Sequence, residues 1–512
     1  MLTKIKVYTI HFSSLFLFFV IIILPLSLRS QLWSDEVIES EAAYNLAFHN
    51  KMAVNVWEGI DKVEEHYFMR VPIHAIILSS LYKLFGFRRY VTLSLPLISA
   101  VFAFCIVYLI AMLLTQDSLV SLSSSLLLGL SSLGVNIAKW ALTHGTSFFF
   151  FTTSLLLFLI SQRHEKHLRK VLISLSGITL SLASQTYELY TFLFFSFIFY
   201  YLFELRYKSG SWFKEMVLFS LSFLLPFIIW ISFILQDMQA FKIQMLNHFI
   251  GSFGLYDITK STFFTLFSKE IISMVIDLSP FTFLFLIIGN VLFVKKFPQY
   301  RNLIIGFILL PALILLALNA LRAYYIMILS PFAFIGLGFF VVYLLRQIRT
   351  SWGRNKRRYA VFLGVVISIF IICHIAFGAG GRYFMFIKDW KIRNLDAYER
   401  EISRIIPTGS RVIGGAENWY VLTRRGSRLL LFECTNQSSF NWDRVDYTII
   451  PLYLYNDLTR TNPYLFNFIK NRCTEIARVG EGAYSYSLFD GSKRFSGYSS
   501  IIFKVRDKGA SN

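Results

Sequence analysis

Long apolar runs alternate with short charged stretches along the first three-quarters of this chain. A hydrocarbon core of roughly 30 Å is crossed by a helix of about 20 apolar residues, so windows of about 19 residues mark the spans. Eleven are predicted. The first four run near Tyr8–Leu28, Thr92–Leu114, Leu119–Val135 and Thr146–Ile160. Val171–Ser184, Leu189–Phe203 and Val217–Leu235 follow, the first two short and closely spaced. Ser279–Val294, Leu303–Leu318, Tyr324–Leu345 and Tyr359–Phe377 complete the set. No small-residue cleavage site flanks the first run, which reads as a retained helix rather than a signal peptide.

Beyond about Asp389 the pattern becomes that of a water-facing domain. Leu395 to Ile406 is an amphipathic helix stopped by Pro407, and Pro463 to Arg472 is a second helix. Arg411–Gly415, Arg428–Glu433, Asp446–Pro451, Tyr484–Phe489 and Ser500–Val505 read as strands. Strands mixed with helices predict a small α/β domain over 386–512, behind a membrane domain over 1–385. Gly414-Gly415 lacks the spacing of a dinucleotide fingerprint and reads as a turn.

Composition agrees. Of 512 residues, 55% are hydrophobic and only 16% charged, too little polar surface for a soluble chain of this length. The formal net charge of +20 would suggest nucleic acid in a soluble protein. Here much of the excess lies in alternate short loops, where it sets orientation instead. With the N-terminus in the cytoplasm, Lys4 and Lys6, Arg163 to Lys170, Arg206 to Lys214, Lys295 to Arg301 and Arg346 to Arg358 all face inward. Short outer loops hold only Lys139 and Arg322. An odd span count places the C-terminal domain outside, with the long loop 29–91. A second outer segment, 236–278, holds His248, Tyr256 and Asp257. Cys105 and Cys373 fall in spans, whereas Cys434 and Cys473 lie in the C-terminal domain, where a disulfide is open to them.

The first outer loop is acidic. It opens on Trp33-Ser34-Asp35-Glu36, just past the first span, and continues through Glu39, Glu41, Glu58, Asp61, Glu64 and Glu65. Glu39 to Glu65 read as solvated surface charge. Asp35 and Glu36 sit at the membrane boundary, where a carboxylate must be solvated, paired or chemically employed. There it can serve as general base toward an acceptor hydroxyl or amine. Val37 to His49 and Ile73 to Phe85 have helical periodicity and read as helices lying along the membrane surface.

A membrane helix followed by an outer loop that opens with an acidic pair resembles the GT-C glycosyltransferases. The likeness is to the branch with the protein O-mannosyltransferases and the lipid A aminoarabinose transferase. His66-Tyr-Phe-Met-Arg-Val-Pro-Ile-His74 with Leu84-Phe85-Gly86 is similar to that branch's "HPPLY…LFG" segment, with one proline of the pair retained. Arg322 to Pro331 is similar to its late "R-Y-lla-lP" helix, and Pro407 to Val412 and Asp446 to Ile450 recur in the same order behind such membrane halves.

The resemblance implies a multi-pass GT-C membrane fold with an extracytoplasmic α/β domain, in a bacterial inner membrane. It implies inverting transfer of a hexose or pentose from a polyprenyl-phosphate carrier to an extracytoplasmic lipid, glycan or protein. Nucleic acid is not an expected partner. Such a donor already carries a competent leaving group, so the needs are a base and a phosphate clamp. Asp35 is the expected base and Glu36 its partner or a metal ligand. Arg322 and Arg70, with Arg88 a further candidate, would hold phosphate through charge-assisted bonds. His66, Tyr67, His74, His144, Glu188 and Tyr325 are candidates for sugar or acceptor contacts. Some members use a divalent cation (Mg, Mn, Ca or Zn), which Asp35 and His66 could hold, though no tight ligand spacing appears. A transporter or flippase of lipid-linked sugars is the alternative, and would predict mid-span charges and inverted repeats, neither of which is seen.

Overall fold

The computed structural model describes residues 2–30, 33–208, 210–252, 278–317, 325–353, 356–436, 440–486 and 493–506. The chain is a multi-pass helical membrane protein with a small C-terminal sheet domain. Among the described residues, eight helices are long and apolar enough to cross a membrane, and a bent pair makes a ninth. Helix α1 covers Leu2–Leu28 and α2 Ser34–His49. Then come α3 (Ile73–Phe85), α4 (Arg89–Thr115), α5 (Ser118–Leu130) and α6 (Ser132–Lys139). They lead into α7 (His144–Ser161) and α8 (Lys166–Ser184).

The predicted third span is the bent pair: α5 and α6 meet at 62°. Ser131 forms the corner, capping α6 by accepting the Gly134 N–H on its hydroxyl. Two other predicted spans are helical but fall outside that test. They are α8, whose first turn is basic, and Pro280–Lys296, with 17 residues. In the bundle α4 packs against α1, α5 and α7, and Ser330–Gly353 packs against α5 and Pro280–Lys296. Fully buried Phe104, Phe148, Phe151 and Phe158 fill the centre.

The C-terminal domain holds β1 (Arg411–Gly414), β2 (Arg428–Leu431), β3 (Tyr447–Pro451), β4 (Cys473–Tyr486) and β5 (Lys493–Val505). They form one mixed sheet in the order β2-β1-β3-β5-β4, parallel across β2-β1-β3 and antiparallel beyond. Strand β4 is much longer than the sequence suggested, because Glu475, Arg478 and Glu481 on this edge strand mask its alternation. Cys434 and Cys473 are free thiols, and Cys434 donates to the Val56 carbonyl at 3.1 Å.

Helix α2 differs from its expected role as a surface helix. Residues on all its sides are buried, from Glu36 to Ala47. One core joins Val37, Ala42, Ala43 and Ala47 of α2 and Leu78 and Tyr82 of α3 to Trp419, Tyr420, Leu422 and Ile502 of the C-terminal domain. The small side chains of α2 let that domain approach closely. Tyr82, Thr92 and Tyr420 then link the two halves through hydroxyl contacts of 2.5 Å each.

Candidate active site

The two neighbouring carboxylates at the start of α2 have different fates. Glu36 is buried, and its two oxygens accept the Trp33 N–H at 2.8 Å and the Ala141 N–H at 2.6 Å. The first bond is the return half of a capping box; the second ties α2 to the turn between α6 and α7. Burial pushes the Glu36 carboxyl up to about 7. Asp35, one residue earlier, is exposed in the first helical turn, a favourable place for negative charge.

Below Asp35 lies a cluster of ionisable groups. Arg70 stands between two carboxylates, with Nε 3.6 Å from Glu39 Oε1 and Nη1 2.8 Å from Glu188 Oε1. Glu39 is buried and also accepts the Thr143 N–H at 3.0 Å. With one cation serving two carboxylates, burial pushes Glu39 above the usual carboxylate range. Asp35 and Tyr67 lie within electrostatic reach of this trio. Tyr67 is buried and its phenol is raised by burial. His144, edge-on to Tyr187 at 4.7 Å, faces Arg70, Glu188 and His74.

The structure therefore brings Asp35, Tyr67, Arg70, His74, His144 and Glu188 together. His74 is buried with Nδ1 unpartnered, and burial pulls its pKa down to about 4, leaving a neutral ring. Outside the cluster, His66 stacks on Phe68 at 5.8 Å, and Arg88 is exposed and bonds Tyr90 at 2.8 Å. Arg322, Tyr256, Asp257 and the side chains of His248 and Tyr325 lie outside the described residues.

Three contributors were missed in the sequence. Glu39 was read as solvated, although its place four residues after Asp35 puts both on one helical face. Gln244, from the helix Met238–Ser252, pins the segment beneath Tyr67. Its amide donates to the carbonyls of Asp61 and His66 at 3.0 and 2.6 Å, and its oxygen accepts the Phe68 N–H at 2.7 Å. From the C-terminal domain, Glu433 lies close enough to Ser34 and Asp35 for its carboxyl to sense both. Nothing local in sequence pairs Ser34 with Glu433.

A divalent metal fits this site poorly. Among the described residues no three His, Cys, Asp or Glu side chains converge as ligands. Arg70 occupies the space between Glu39 and Glu188 that a cation would share.

No protein-family model matches the sequence, and no curated protein matches it. Solved structures do. ArnT from Cupriavidus metallidurans, bound to undecaprenyl phosphate, aligns over 99% of this chain and 99% of its own, with a TM-score of 0.62 and 12% identity. The fold is that of ArnT. Its apo state aligns over 98% of both chains at a TM-score of 0.57 and 12% identity. Archaeoglobus fulgidus oligosaccharyltransferase AglB, in complex with an inhibitory peptide and a dolichol-phosphate, covers 95% of this chain and 74% of its own at a TM-score of 0.48 and 12% identity. The ArnT alignments run the full length, so the C-terminal sheet domain is part of the shared fold.

Proposed function

We propose that this protein is an inverting glycosyltransferase that moves a sugar from a polyprenyl-phosphate carrier to an acceptor. The observation that carries the reading is an exposed Asp35 above the buried Glu39–Arg70–Glu188 cluster, in a fold shared with a structure bound to undecaprenyl phosphate. Asp35 takes the proton from the acceptor as its oxygen or nitrogen bonds to the anomeric carbon. The carrier phosphate leaves with the electrons of the broken bond. Deprotonation and positioning of this kind suit an exposed carboxylate on a rigid helix.

Glu36 acts as the tether that fixes Asp35's helix. Arg70 is preorganised by its two carboxylates and, with Arg322, forms the proposed phosphate clamp. Arg88 remains a further candidate for the phosphate. Tyr67, His74, His144 and Glu188 would line the sugar or acceptor side, and His66 and Tyr325 remain candidates for the same contacts. The basic short loops support an N-terminus in the cytoplasm and an extracytoplasmic site in a bacterial inner membrane.

Replacing Asp35→Asn in a strain lacking the gene tests the reading. Loss of sugar transfer by about 100-fold or more, read by mass spectrometry of envelope glycans, lipids and glycoproteins, is expected with unchanged thermal unfolding. Wild-type levels of transfer would sink the assignment.

A further inference from the structure

At the end of the bundle away from the candidate site, three spans meet. Val7–Leu28 begins there, and Arg89–Thr115 and His144–Ser161 finish there. At a rise of about 1.5 Å per residue, Val7 stands roughly 30 Å from the Leu28 end, one hydrocarbon thickness away. A cavity of about 630 Å³ opens between these spans.

Its lining divides by depth along the helices. Leu109, Met112, Leu156 and Ile160 lie within the spans, and Tyr8, Gln116, Ser118 and Arg163 lie at or just beyond the span ends. Apolar walls thus meet polar donors at the level where acyl chains give way to headgroups. Arg163 is exposed and donates to the Leu113 carbonyl, and among the described residues no carboxylate pairs with it. A neighbouring cavity of about 320 Å³ shares Arg163 but contains Arg169, which is neutralised by Glu215 at 2.7 Å. Arg163 is therefore the unbalanced charge, and in the larger cavity it is the only Lys or Arg among the described lining residues. The stretch it opens, Arg163 to Lys170, carries four Lys or Arg and two His against the single carboxylate Glu165.

We propose that the larger cavity binds an anionic glycerophospholipid from the leaflet opposite the candidate site. An acyl chain lies along Leu109 and Leu156, and the phosphate takes a charge-assisted bond from Arg163. Tyr8, Gln116 and Ser118 meet the glycerol and headgroup oxygens. The site does not depend on the transferase reading, since it is about a membrane thickness from Asp35.

Native mass spectrometry of the full-length protein in detergent tests this, with phosphatidylglycerol, phosphatidylethanolamine, undecaprenyl phosphate and inorganic phosphate added in turn. Phosphatidylglycerol should be retained about fivefold over phosphatidylethanolamine. Arg163→Gln should erase that preference, and Ile160→Trp, which fills the apolar part without touching charge, should weaken retention of phosphatidylglycerol. Equal retention of the two phospholipids would overturn the proposal, as would unaltered binding in both variants. Displacement by inorganic phosphate would do so too, and retention of undecaprenyl phosphate that Arg163→Gln abolishes would reassign the cavity to the carrier.

Discussion

Asp35 and Glu36 share a chemical type and a neighbourhood, yet successive helical positions are rotated by about 100°, so one meets water and the other the protein. The acidic pair was legible because carboxylates beside a membrane are costly. The division of labour was not, since it depends on the Ala141 N–H more than a hundred residues away. Arg70 is a further case: its place in the His66–His74 stretch marked it, but Glu188 arrives from another helix end. Replacing Arg70→Met leaves Glu39 and Glu188 facing each other without a cation. The expected loss is about 3 kcal/mol in reversible unfolding. Adding Glu39→Gln should recover part of it, because the two changes act on one network.

At the scale of elements, hydropathy found the helices and little of how they associate. Every predicted span whose residues are described is helical, because a span is specified by its own residues. The periodicity of α2 predicts an apolar face laid along the membrane surface. Its alanines are instead where the C-terminal domain lands, with Ala43 fully buried. Ala43→Leu should therefore overpack this junction and cost about 1–3 kcal/mol. Limited proteolysis should then release the C-terminal domain faster than in the wild type. Ala47→Leu, at 8% exposure and nearer the helix end, should do less.

For the molecule as a whole, the buried carboxyls outside the spans set a pH response. Burial pushes Glu41 up to about 8 and Glu36 and Glu417 to about 7, from an unfolded value of 4.5. Between pH 4.5 and 8 the folded chain therefore holds more protons than the unfolded one. The stability these groups contribute is complete below pH 4.5 and is lost as the pH rises through 7 to 8. Thermal unfolding in detergent should show a midpoint falling across that window. Glu41→Gln, which can keep its bond from the Val56 N–H, should flatten part of the slope.

The shared core of α2, α3 and the C-terminal sheet also has a consequence during synthesis. Its first half leaves the ribosome with the first membrane helix, and its second half begins only at Leu395. At roughly 5–20 residues per second, that wait lasts on the order of tens of seconds. Throughout it, α2 has α3 beside it but the side that meets Trp419 and its neighbours is uncovered, and a chaperone or the bilayer surface must shield it. Nascent chains halted before Leu395 and carrying Ala43→Cys should react readily with a membrane-impermeant thiol reagent, whereas released full-length chains should be protected.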